Sequence, residues 1–237
     1  MRAEVEVEIE VEVVEIRSVR AQDDGWAGVV LAAGLAAGGS YVLSPYLPVT
    51  DLAQTVWKGL GVGLLAVYAG LVARDRDGWL LTLVLALGAL GDVLLEVAGL
   101  VTGAFAFLAG HLVAIWLYLR NRRETLSFSQ KTLAIILVPA TVGLAFMLPG
   151  DRAMAPGIAL YSLGLAVMAA TAWTSRFSRY GVGTGALMFV VSDLLIFART
   201  GPLEGAAWTG FAVWALYFLG QTLICLGVTG RTPLRPA

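Results

Sequence analysis

Cysteine and histidine are almost missing from this 237-residue sequence, in which Cys225 and His111 each stand alone. One cysteine leaves no partner for an internal disulfide, and one histidine rules out a multi-histidine zinc site of the usual kind. Charge is scarce as well. Only 14% of residues are Asp, Glu, Lys or Arg, and 16 basic against 17 acidic residues leave a net charge of −1. That balance gives no electrostatic reason to expect nucleic acid as a partner. No Gly-x-Ser-x-Gly elbow is present, and Ser192 has no triad context, which disfavours ping-pong acyl transfer. No cofactor is expected.

Apolar residues are abundant. They make up 58% of the chain, against roughly 45 to 50% in soluble domains, and the mean hydropathy is +0.80. They gather into eight runs, at about 26–43, 52–73, 79–98, 103–119, 132–148, 156–173, 184–198 and 207–229. Each is near the roughly 17 to 25 residues that cross a bilayer as a helix. The runs are apolar all round, whereas strands of a membrane barrel would alternate over about 10 residues. The expected fold is therefore all-α: a polytopic membrane protein whose bundle of eight transmembrane helices occupies residues 26–230. Trp79, Trp116, Trp173 and Trp208 read as an interfacial belt. Gly181-Val-Gly-Thr-Gly185 has the spacing of a close helix contact but reads largely as loop.

The flanks differ. Residues 231–237 form a short tail, and in 1–25 Glu4, Glu6, Glu8, Glu10 and Glu12 alternate with Val5, Val7, Ile9, Val11 and Val13. A period of two suits a strand, but a strand without a partner is unstable in water, so a solvated tail is the favoured reading over an edge pairing. A start further downstream, near Trp26, is the third reading. The alternating charges leave no apolar core of the kind a signal peptide needs.

Basic residues set the orientation, because Lys and Arg collect in cytoplasmic loops. With eight spans, thirteen basic residues share one side: Arg2, Arg17, Arg20, Arg74, Arg76, Arg120, Arg122, Arg123, Lys131, Arg176, Arg179, Arg231 and Arg235. Only Arg152 and Arg199 fall on the other. Both termini are thus expected in the cytoplasm of a cell-membrane protein.

Against this background Asp92, in Leu87-Gly-Ala-Leu-Gly-Asp92-Val-Leu-Leu-Glu96, and Asp193, in the run from Gly185 to Phe197, stand out. An ionised Asp near the centre of a membrane helix costs about 2.5 to 3.5 kcal/mol, so such a carboxylate needs a function or a partner. The helical rise places Asp92, Asp193, Lys58, His111 and Tyr161 in one layer of the outer half, with Glu96 one turn further out and Gln221 deeper. Lys58 fits snorkelling to the interface as well as pairing with a carboxylate. Glu96 can reach the headgroups, His111 alone suits packing, and the two Asp can form a structural hydrogen-bonding pair.

At these residues the chain resembles the lysoplasmalogenase family of multi-pass membrane proteins, also called YhhN-like. The similar stretches are Gly88-Ala-Leu-Gly-Asp92-Val-Leu-Leu95, Thr102-Gly-Ala-Phe-Ala-Phe107 leading to His111, the run from Gly185 through Ser192 and Asp193, and Tyr217-Phe-Leu-Gly-Gln221, with Lys58 in the second segment. The resemblance implies hydrolysis of the vinyl-ether bond of a lysoplasmalogen to a fatty aldehyde and glycerophosphoethanolamine or glycerophosphocholine. It implies Asp92 and Asp193 as the catalytic pair, with Lys58, His111, Tyr161 and Gln221 as pocket candidates; Glu96 and Ser192 adjoin the two Asp. The implied partners are a lysophospholipid-type substrate and the bilayer.

The chemistry suits the residues. A vinyl ether is cleaved by protonation of its β-carbon and attack of water on the resulting oxocarbenium ion, which needs one acid and one base, as in glycoside hydrolysis. Two carboxyl groups in one apolar site resist ionising together, so a pair supplies both states. Asp92 is taken as acid and Asp193 as base or charge stabiliser, and the third and seventh segments are expected to touch so that both face one cavity. The competing class is a small-solute or proton-coupled transporter, for which buried Asp, Lys and His are equally natural. No metal is expected, although two carboxylates and one histidine can hold one.

Overall fold

A computed structural model describes residues 25–230. Among the described residues eight helices are long and apolar enough to span a membrane. They are α1 (Gly25–Tyr46), α2 (Asp51–Val72), α3 (Arg76–Ala98), α4 (Leu100–Arg120), α5 (Phe128–Met147), α6 (Ala155–Thr174), α7 (Thr184–Ala198) and α8 (Trp208–Thr229). The molecule is a polytopic eight-helix bundle. The Glu/Val alternation and the segment 231–237 lie outside the described residues.

Local chemistry sets the helix starts. Thr50 accepts from Ala53 N at 3.3 Å and Asp75 from Gly78 N at 2.9 Å, each satisfying an orphan amide of a first turn. Ser127 and Gln130 form a reciprocal capping box. Between α3 and α4 the connection is a single residue, Gly99, at φ 85° and ψ 174°, a backbone region open essentially to glycine alone. That turn starts α4 at Leu100, three residues before the apolar run suggested, and it moves His111 down. His111 is 11 positions beyond Leu100, so it lies about 16 Å along the helix, in mid-membrane. It is therefore not in the layer of Asp92, which lies about 9 Å from the end of α3.

Helix α2 packs on α3, α3 on α4, α4 on α6, and α6 on α5 and α7. Helix α8 occupies the middle, against α2, α3, α7 and the last turn of α1. Trp214 on α8 donates its indole N–H to Gly38 O at 2.8 Å, and Trp57 on α2 donates to Ala37 O at 2.9 Å, so two indoles anchor α1.

The backbones of α3 and α7 do not come together, so the direct packing expected from the two aspartates is absent. The reason is a glycine contact. A methyl added at Gly185 of α7 would lie 2.6 Å from Gly220 O of α8, and one added at Gly220 would lie 2.7 Å from Gly185 O. With no side chain on either, the two backbones meet directly, and α7 docks on α8 instead of α3. Ser192 strengthens the joint, its hydroxyl donating to Val213 O at 3.0 Å. The stretch around Gly181 is accordingly not loop. A π turn over Arg179–Gly183 runs straight into α7.

At the end of the bundle where α4 and α6 finish, the α4–α5 and α6–α7 loops are stitched together. Arg122 and Ser175 form an isolated antiparallel bridge, and Arg176 N donates to Asn121 O at 2.6 Å. Arg123 donates from Nε to Ser175 O at 2.6 Å and from Nη2 to Phe177 O at 3.3 Å. The opposite end is hollow.

Candidate functional site

The hollow is a cavity of about 820 Å³ with mainly apolar walls, within the usual range of about 300 to 1,000 Å³ for small-molecule sites. Asp92 from α3 and Asp193 from α7 both line it, only 2% and 5% exposed. They face the space from separate walls. Each carboxylate has its own tyrosine: Tyr217 OH donates to Asp92 Oδ2 at 2.7 Å, and Tyr161 OH lies 2.7 Å from Asp193 Oδ2. Both tyrosines line the same cavity. A buried carboxylate is tolerable only when hydrogen-bonded, and these phenols supply a donor without adding charge.

The Asp193 branch continues. His111 Nε2 lies 3.1 Å from Tyr161 OH. If Tyr161 gives its proton to Asp193, His111 must donate from Nε2; if Asp193 carries the proton, it donates to Tyr161, which then donates to His111. The three groups thus form a chain along which a proton position can shift. Behind Asp92, Tyr217 has the Gln221 side chain as its next polar neighbour and meets aromatic edges: Phe189 at 5.0 Å and Phe107 at 5.8 Å between ring centroids, both T-shaped. Phe189 also meets the His111 ring at 5.1 Å. Phe107 lines the bottom of the cavity, and the two phenylalanines pack around Tyr217, while Tyr161 packs on His111 and Phe197.

Two expected pocket residues lie elsewhere. His111 and Gln221 do not border the large cavity; they line a small one of about 20 Å³ beneath the floor, with Tyr118. Position along the helix is the cause, since Gln221 is one turn past Tyr217 on α8 and His111 is in mid-membrane. Gln221 Oε1 and Tyr118 OH have no hydrogen-bond partner among the described residues, and a space this size accommodates one water.

Lys58 and Glu96 do border the large cavity. Lys58 donates to Glu96 Oε1 at 2.6 Å, with side chains 14% and 39% exposed. Of the two readings for Lys58, pairing with a carboxylate is the one observed, and Glu96 turns to it. Ser192 also borders the space, but its hydroxyl is engaged with Val213 O.

Two residues at the cavity went unnoticed in the sequence. Tyr217 entered only as part of the stretch Tyr217-Phe-Leu-Gly-Gln221, without a role of its own, though a tyrosine in the middle of an apolar helix, away from both interfaces, is itself a sign of a buried partner. Arg199, just past α7, entered only the charge count, yet it lines the mouth. Among the described residues no group of three or more His, Cys, Asp or Glu side chains comes together as a potential metal set.

The YhhN family model matches residues 53–228, which include every cavity residue named above. Searches of curated proteins and of solved structures gave no match.

Proposed function

We propose that this chain, which belongs to the YhhN family, is a membrane-embedded hydrolase that cleaves the vinyl-ether bond of lysoplasmalogens. Family membership supports a lipid-acting membrane enzyme. One observation carries the finer reading: two buried carboxyl groups, each held by a tyrosine, border one largely apolar cavity at similar depth. An apolar chain suits the walls, and the polar groups are confined to where chemistry would take place.

In this reading Asp92 is the acid. It gives its proton to the β-carbon of the vinyl ether, and the ether oxygen supports the positive charge left on the α-carbon. Asp193 takes a proton from water as the water oxygen bonds to that carbon, forming a neutral hemiacetal. Asp92 is now ionised and Asp193 protonated. The hemiacetal hydroxyl returns a proton to Asp92 as the carbonyl forms, and the departing glycerol oxygen takes the proton from Asp193. Aldehyde and glycerophospho-alcohol leave, and both carboxyl groups are reset. The Tyr161–His111 chain behind Asp193 supports its role as the group that gains and loses the water proton.

The test compares two substrates. Protein purified in detergent is incubated with a lysoplasmalogen and with the acyl lysophospholipid of the same chain length. Aldehyde from the first and no fatty acid from the second is the expected result. Fatty acid from the acyl lipid would replace the vinyl-ether reading with an acyl hydrolase, and no product from either lipid would favour the transporter class.

A further inference from the structure

The mouth of the cavity carries charge that the proposed chemistry does not use. Lys58 and Glu96 pair there, and Arg199 joins them on the lining. The two arginines of that end of the bundle are in different situations. Arg152 is committed to its own loop: it donates to Phe146 O at 2.8 Å and lies 4.8 Å over the Phe146 ring. Arg199 has no ion pair or side-chain hydrogen bond among the described residues. An exposed arginine at the rim of an apolar cavity, with no protein acceptor for its five donors among the described residues, suits an oxyanion.

Spacing narrows the ligand. Glu96 is four residues beyond Asp92, about 6 Å along α3, and Arg199 is six residues beyond Asp193, about 9 Å along the axis of α7. In a glycerophospholipid five single bonds separate the sn-1 ether oxygen from phosphorus, roughly 6 Å at bond lengths near 1.5 Å. A lipid whose ether lies at the carboxyl layer therefore brings its phosphate to the charged rim.

We propose that Arg199, Lys58 and Glu96 form a headgroup subsite for a zwitterionic phosphodiester, resting on the hydrolase reading of the cavity below. The phosphate lies between Arg199 and Lys58, and the amine of the headgroup takes Glu96. The resident Lys58–Glu96 pair occupies this subsite when it is empty, and the lipid exchanges one ion pair for two. Glu96 gives the rim its selectivity, because a lipid ending in bare phosphate meets its carboxylate without an amine to neutralise it.

Binding separates this proposal from the hydrolysis. The full chain in detergent is titrated with saturated ether lipids, which cannot be cleaved at a vinyl bond: hexadecyl glycerophosphocholine, hexadecyl glycerol phosphate and hexadecylglycerol, with chainless glycerophosphocholine as a fourth probe. The phosphocholine lipid is expected to bind at least about 10-fold tighter than hexadecylglycerol, one charge-assisted contact being enough for that. Arg199→Gln should remove most of this preference and leave hexadecylglycerol unchanged, and Arg199→Lys should restore part of it. Glu96→Gln should narrow the margin over the bare phosphate lipid. Equal binding of hexadecylglycerol and the phosphocholine lipid overturns the subsite, as does an Arg199→Gln variant that keeps the preference. Glycerophosphocholine binding as tightly as its lipid would overturn it too, since the chain would then lie elsewhere. If aldehyde is still released from lysoplasmalogen in those cases, the hydrolase reading stands without the subsite; if a headgroup preference appears without any aldehyde, the subsite stands and the hydrolase reading falls.

Discussion

Each buried carboxyl group has its own tyrosine, and that pairing is open to mutation. Asp92→Asn and Asp193→Asn keep size and hydrogen bonding while removing the proton site. Each is expected to accumulate normally in the membrane and to lose about 10² to 10⁴-fold in turnover, the usual share of one general acid or base. The double variant should be little worse than the worse single one, because the pair works as a unit. Tyr217→Phe and Tyr161→Phe each remove a bond to a carboxyl group worth about 1.5 to 3 kcal/mol, so activity should fall roughly 10- to 150-fold in each. His111→Gln touches Asp193 only through Tyr161, and should cost less than Tyr161→Phe. Rates per folded molecule, measured by aldehyde release, check this order. The aspartates were legible in the sequence because a charge in an apolar run is costly enough to need a reason. Tyr217 was not, since a phenol in such a run also reads as packing until its partner, 125 positions away in sequence, is known.

At the scale of helices, length and apolar content were enough to find all eight spans, because a span must satisfy its own backbone and the bilayer fixes its length. Neighbours were not legible. Two like carboxylates suggested that α3 touches α7, but which backbones meet is decided by missing side chains, here at Gly185 and Gly220. Gly185→Ala would place a methyl 2.6 Å from a carbonyl oxygen that belongs to backbone and cannot swing away. Overpacking of this kind costs about 1 to 3 kcal/mol. The variant should melt at lower temperature in detergent, while Gly143→Ala, with nothing within 4 Å of the added methyl, should melt like the parent. The depth of His111 was misjudged for a similar reason: a one-residue turn at Gly99 leaves no trace in hydropathy, yet it decides where α4 begins.

The molecule as a whole is a multi-pass membrane protein of the YhhN family. Its proposed orientation puts the stitched loops in the cytoplasm and the hollow end outside, as the basic residues suggest. Glu124 and Glu204 are both exposed and lie at opposite ends, and Cys225 is buried. A membrane-impermeant maleimide should therefore label Glu204→Cys in intact cells and Glu124→Cys only after lysis; the reverse pattern would invert the topology. The stitch itself has a mechanical consequence. Arg123 and the Arg122–Ser175 bridge tie α4, α5, α6 and α7 together at one end, so that end acts as a pivot and bending compliance is left to the other. Helix tips then swing by an amount that grows with distance from the pivot, which turns a small tilt near the loops into several ångströms of widening where a lipid would pass.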